Sequence, residues 1–175
     1  MDLPALSQAL LVVFVTTAAL IDLRERRIPN WLSLGGLVLA FGLNLVLHQL
    51  SGLWQSLVGL VLAFLIYFAL YWLRAMGAGD VKMMAAVGAI VGPWNWMVIF
   101  LLSSLIGGLL AVVVVLWRRR FRRTVSNVGY LIYEWIHLRP PYVRRQELDV
   151  SKGFGLPHAL SVALGSFAFL FLRTR

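Results

Sequence analysis

Four stretches of this chain contain no Asp, Glu, Lys or Arg: residues 3–21, 31–73, 83–117 and 153–172. Nearly everything charged lies between them. A bilayer core is crossed by about 20 apolar residues in a helix, so the first and last stretches suit one crossing each and the two longer ones suit two. The composition agrees, with 61% hydrophobic and 13% charged residues and a mean hydropathy of +0.84. Such a balance excludes a disordered chain and a water-soluble nucleic-acid binder, despite a net charge of +9. With no cysteine, disulfides, thiolate metal sites and cysteine nucleophiles are excluded too.

Each long stretch has a natural break. Residues 31–73 are interrupted by His48, Gln49, Ser51, Gly52 and Gln55, and residues 83–117 by Gly92, Pro93, Trp94 and Asn95. Proline ends a helix, and tryptophan suits the membrane interface. The expectation is an all-α integral membrane bundle of about six helices in one domain (1–175), at approximately 3–21, 31–48, 54–73, 81–92, 96–117 and 154–172, the fourth short. Charge parity supports six. Six crossings gather 14 of the 16 basic residues on one side, including a basic cytoplasmic or interfacial segment at 118–152. Merging the fourth and fifth helices would throw Arg118 to Arg123 across the membrane, against the positive-inside bias. Met1 and Asp2 offer no basic region before the first apolar run, so that run reads as a retained helix and not as a cleaved signal.

Only seven carboxylates are present, and two stand out. Asp22 sits where the first helix ends, and Asp80 closes Gly77-Ala78-Gly79-Asp80 where the fourth begins. One helical hairpin separates them, so both fall at the same membrane face. Two acids at one depth can share a water, one drawing a proton from it while its protonated partner serves a carbonyl or leaving amine. Like charges at close range should titrate as a pair. The macrodipoles favour ionised Asp80 at a helix N-terminus over Asp22 at a C-terminus, which makes Asp80 the expected base and Asp22 the acid. Each also has a structural reading: Asp22 as a solvated charge beside Arg24 to Arg27, Asp80 as an N-cap, and Gly77 and Gly79 as turn formers.

Together, Gly77-Ala78-Gly79-Asp80-Val81-Lys82 and Asp22-Leu23-Arg24-Glu25-Arg26-Arg27-Ile28-Pro29-Asn30 resemble the two signatures of the bacterial type IV prepilin peptidases, the GxGD membrane aspartic proteases. The resemblance implies that Asp22 and Asp80 are the catalytic pair, with Gly77, Gly79, Lys82, Pro29 and Asn30 supporting the motifs. It implies removal of a short basic leader from prepilins or pseudopilins at the cytoplasmic face of the bacterial inner membrane, with neither cofactor nor metal. The chain is most similar to the short, core-only members associated with Flp or Tad pili. It lacks the paired cysteines of the zinc module found in long members, so their S-adenosylmethionine-dependent methyltransferase activity is not carried over. Its last apolar stretch opens Gly155-Leu156-Pro157-His158-Ala159-Leu160, where the family often has a Pro-Tyr-Gly-Pro-like sequence.

Other residues carry narrower expectations. Pro29 and Asn30 suit the start of the second helix. Lys82 suits either the positive-inside rule or support of Asp80. Asn44 and His48 read as interhelical or interfacial polar groups, and Gly88 to Gly92 as a small-xxx-small packing pattern. Arg118 to Arg123 suit anionic headgroups, worth about 1 kcal/mol per basic residue near the surface, better than nucleic acid. Two other classes compete with the peptidase: a non-enzymatic scaffold subunit in which both Asp only cap helices, and a small proton-coupled transporter.

Overall fold

The computed structural model describes residues 3–73, 75–117 and 158–173, and every element among them is helical. In chain order these are α1 (Ala5–Glu25), α2 (Asn30–Trp72), α3 (Ala78–Trp117) and α4 (His158–Arg173). The first three contain segments long and apolar enough to cross a membrane, and α4 is a shorter apolar helix. The basic segment 118–152 lies outside the described residues.

At about 1.5 Å per residue, the 43 residues of α2 would reach roughly 65 Å if straight, twice the thickness of a hydrocarbon core. They are not straight. Gln49 leaves the helical region at φ 55° and ψ −140°, inside the polar break expected from the sequence. Beyond it the chain doubles back. Asn44 Nδ2 donates to Ser56 Oγ at 2.7 Å, although a continuous helix would hold residues twelve apart at about 18 Å. Gly52 makes the approach possible, because a side chain there would collide with the Asn44 carbonyl. The arm 30–48 therefore lies against the arm 50–72.

A second interruption falls at Gly92 in α3, with φ 77° and ψ 171°, directly before Pro93. That backbone region is open essentially to glycine alone. The arm 78–91 is central: Val81 and residues 83–91 are buried on every side. A helix apolar all round belongs in a bundle interior. Its small residues admit close neighbours, and the backbones of Gly88 and Gly59 touch with no room for a Cβ on either. Asn44 secures the same level by donating to the Ala89 carbonyl at 3.1 Å. Interhelical bonding by Asn44 and close packing through Gly88 describe what these residues do, whereas Gly92, with open space where a Cβ would stand, forms the bend.

The second α2 arm runs antiparallel to the central arm, since Gly59 faces Gly88 and Gly92 while Ala63 faces Gly88. Farther along it, Tyr67 meets Trp96 and Phe100 edge-on, with ring centroids 6.3 and 5.8 Å away. Phe100 thus stands beside the arm that precedes Gly92, so α3 also folds back on itself. Finally α4 packs along α1 in the opposite direction, with its first turn beside the last turn of α1. The chain divides into two compact units, Met1–Gly107 with Pro157–Arg175, and Gly108–Leu156. All contacts above belong to the first. Of the second, the described part is the continuing helix 108–117, with Leu109, Val112, Val113, Leu116 and Trp117 exposed.

Candidate active site

The sequence around α1 dictates how Asp22 is presented. Apolar residues carry the helix to Glu25, and Arg26 then closes it in the left-handed region at φ 51°, its N–H bonding the Asp22 carbonyl at 3.0 Å. Asp22 is one turn inside that end and only 8% exposed. A buried carboxylate needs a donor. It finds one across the bundle, where the Ala159 N–H in the first turn of α4 donates to Oδ2 at 3.2 Å. Helix N-termini leave such amides without intrahelical partners, and they suit an anion. Asp22 therefore meets the C-terminus of α1 and the N-terminus of α4 together. The expected division into an Asp22 acid and an Asp80 base set only the C-terminus of α1 against Asp22, and the N-terminus of α4 acts on it in the opposite sense.

Asp80 belongs to the first turn of α3, two residues after its start at Ala78. It is not the cap itself. Its Oδ2 reaches back to accept the Gly77 N–H at 3.2 Å, while its own N–H bonds the Gly77 carbonyl at 3.1 Å. This is the carboxylate half of a capping box. Neither Gly77 nor Gly79 has a positive φ, so the conformational freedom of glycine is not what the turn uses. Space is used instead at Gly77, where a Cβ would press within 3.3 Å of Asp80 Oδ2. Gly79 backs onto Ile28, so the two signature segments are in contact.

The remaining motif residues join the same segments from outside. Pro29 flanks α2 in an extended conformation and Asn30 begins it, as expected, but the Asn30 side chain caps nothing. Its Oδ1 instead accepts from Lys82 Nζ at 3.0 Å, at the surface. Lys82 is thus engaged with the start of α2.

Asp80 interacts electrostatically with Asp22, His158 and Tyr67, and His158 with both carboxylates. The fold has drawn into one cluster four groups that the sequence scatters from residue 22 to residue 158. Tyr67 and His158 carried no functional expectation. Tyr67 sits in the aromatic run Phe64, Tyr67, Phe68, Tyr71 and Trp72, where it is indistinguishable from packing, and His158 stood out only as a departure at the start of the last apolar stretch. The Tyr67 hydroxyl and His158 Nε2 are 3.2 Å apart. Among the described residues, no group of three or more His, Cys, Asp or Glu side chains is placed to hold a metal ion. A cavity of about 110 Å³ lies elsewhere, between the N-terminus of α1 and the bends of α2 and α3, lined by Asn44, His48, Gln55, Trp94 and Asn95 among others.

A helical protein with membrane-length apolar helices and two carboxylates at one end of its bundle is a candidate membrane hydrolase. Comparison with known families is more specific: the profile of the type IV leader peptidase family matches residues 9–112, which include both signature segments. The chain belongs to that family, and is a peptidase by membership. Neither the curated proteins nor the solved structures contain a significant match.

Proposed function

We propose that this chain is an aspartic endopeptidase of the bacterial inner membrane that removes the leader from type IV prepilins or Flp-type pilin precursors at the cytoplasmic face. The observation that carries the reading is the placement of Asp22 and Asp80 at one end of the bundle, where α1 ends, α3 begins and Gly79 backs onto Ile28. Six crossings are part of the proposal: α1, the two arms of α2, the two arms of α3, and α4. The bends at Gln49 and Gly92 support that count. Under the positive-inside bias it puts Arg24, Arg26, Arg27 and Lys82 in the cytoplasm together with both acids.

In the mechanism, one carboxylate is ionised and the other protonated when substrate binds. The ionised group takes a proton from a water whose oxygen attacks the scissile carbonyl carbon, while the protonated group gives its proton to the carbonyl oxygen. The gem-diol then collapses. The C–N bond breaks, its electron pair takes the proton just gained by the first carboxylate, and the second recovers a proton from the diol hydroxyl. The pair ends as it began, with water added across the peptide bond. Neither metal nor cofactor enters this scheme. Arg118 to Arg123, beyond the described residues, are proposed to bind anionic lipid headgroups, not nucleic acid.

The deciding experiment co-expresses the chain with candidate prepilins and compares wild type with Asp22→Asn and Asp80→Asn at matched membrane levels. Leader removal by wild type and its loss in each variant is the expected result. Cleavage persisting in both variants would remove the dyad.

A further inference from the structure

Tyr67 is 1% exposed on the second arm of α2, packed edge-on against the stacked rings of Trp96 and Phe100. A phenylalanine would fill that space equally well. A phenol placed there needs a partner, because an unmatched hydroxyl in an apolar interior is costly. The partner is His158, whose Nε2 lies 3.2 Å from the hydroxyl and whose ring is tilted 50° against the tyrosine with centroids 5.8 Å apart. His158 is also the first residue of α4. Its neighbour, Ala159, supplies the N–H that holds Asp22. The path from phenol to carboxylate is thus short: Tyr67 hydroxyl, His158 ring, one peptide step, Ala159 amide, Asp22 Oδ2.

We propose that Tyr67 and His158 are a positioning pair for the Asp22 carboxylate, the packed phenol fixing the imidazole and with it the first turn of α4 that holds Asp22. The inference rests on the peptidase reading above. Tyr67 is well suited to the task because two aromatic rings of the α3 arm that follows Gly92 restrain it. His158 is suited because α4 touches Asp22 through its start, where a small rotation of the first turn would move the Ala159 amide off the carboxylate. The pair gives that turn an anchor in a different helix. Neither residue need touch the scissile bond.

The test uses the full-length chain, purified in detergent, with a prepilin that wild type cleaves in membranes. Tyr67→Phe, His158→Leu, His158→Gln and the double variant Tyr67→Phe/His158→Leu are compared by kcat and KM, with thermal stability measured in parallel. Loss of one buried hydrogen bond that orients a reacting group is expected to lower kcat by about tenfold in Tyr67→Phe and His158→Leu, with KM within about twofold. The double variant should be no worse than the poorer single variant, because one contact is lost in all three. His158→Gln should recover part of the rate, since its amide can still meet the phenol. A Tyr67→Phe kcat within about twofold of wild type would overturn the proposal. So would single losses that multiply in the double variant, or His158→Gln no better than His158→Leu. Should His158→Leu fold poorly, Tyr67→Phe, which deletes one oxygen, decides alone. Asp22→Asn and Asp80→Asn run alongside: activity in both overturns the peptidase reading itself, whereas loss in both with an unaffected Tyr67→Phe overturns the positioning pair alone.

Discussion

The Ala159 amide and the Asp22 carboxylate, 137 residues apart in the chain, are joined by a 3.2 Å hydrogen bond that ties the end of α1 to the start of α4. The bond separates two roles of Asp22. An asparagine keeps an acceptor oxygen for the amide but cannot hold or release the proton that hydrolysis requires. Asp22→Asn is therefore expected to keep wild-type thermal stability in detergent and to lose leader cleavage. Asp22→Leu should lose both, because it leaves a buried N–H unmatched at about 1–3 kcal/mol. Melting curves beside a cleavage assay distinguish them, and an Asp22→Asn protein that melts early would show that the charge holds the fold.

Asn44 makes the complementary prediction at the far end of the bundle. It bonds Ser56 and the Ala89 carbonyl, far along its helix from the carboxylates. Asn44→Leu strands the Ser56 hydroxyl and should destabilise by about 0.6–1.7 kcal/mol, the range for interhelical hydrogen bonds in membranes. Cleavage below the melting temperature should be unchanged. A kinetic defect without a stability defect would reveal coupling between the two ends that the hydrogen bonds do not provide.

Glycines in these helices differ sharply in what surrounds them. Gly88 has the Gly59 carbonyl where its Cβ would stand, whereas Gly42 has nothing within 4 Å. Gly88→Ala must push two backbones apart and should cost at least the roughly 1–3 kcal/mol of overpacking. Gly42→Ala should be neutral or stabilising by up to about 1 kcal/mol, since alanine is the better helix former. Equal behaviour of the two in a detergent melt would contradict the close crossing of the central arm.

Much of this arrangement was legible in the sequence because lipid imposes a coarse rule. The breaks at Gln49 and Gly92 fall inside the polar interruptions at 48–55 and 92–95, and the signature segments carrying Asp22 and Asp80 lie in contact at one end of the bundle through Ile28 and Gly79. What stayed hidden depends on rotation about helix axes, which hydropathy does not report. Tyr67 is one aromatic residue among several on its arm, and only packing shows that it, and not Tyr71, faces His158. The opposing end of α4 at Asp22 was hidden for the same reason. Helix-end reasoning had counted only α1 at Asp22.

Lys82 and Asn30 test how far the motif residues outside the cluster matter. Their 3.0 Å bond is at the surface, where such contacts contribute at most about 1 kcal/mol. Lys82→Gln can still donate to Asn30 and should leave both stability and cleavage close to wild type. Lys82→Glu should be worse, because it adds a negative charge two residues from Asp80. A severe loss of kcat in Lys82→Gln would instead assign the ammonium a part in substrate binding or chemistry.

The bend at Gln49 gives the last prediction. Its φ of 55° with ψ of −140° is a conformation that a residue with a Cβ rarely adopts and that costs of order 1–3 kcal/mol. The fold tolerates it because the Asn44 bonds and the Gly52 approach fix the hairpin on either side. Gln49→Gly removes the steric penalty while adding backbone freedom to the unfolded chain, and the first effect is the larger. The variant should melt higher than wild type, by an amount equivalent to about 1 kcal/mol, with no change in cleavage. Gln49→Val, branched at Cβ and confined to the same backbone angles, should melt lower than wild type. If Gln49→Gly melts lower as well, the turn draws its stability from the glutamine side chain, and the strain assigned to that residue is wrong.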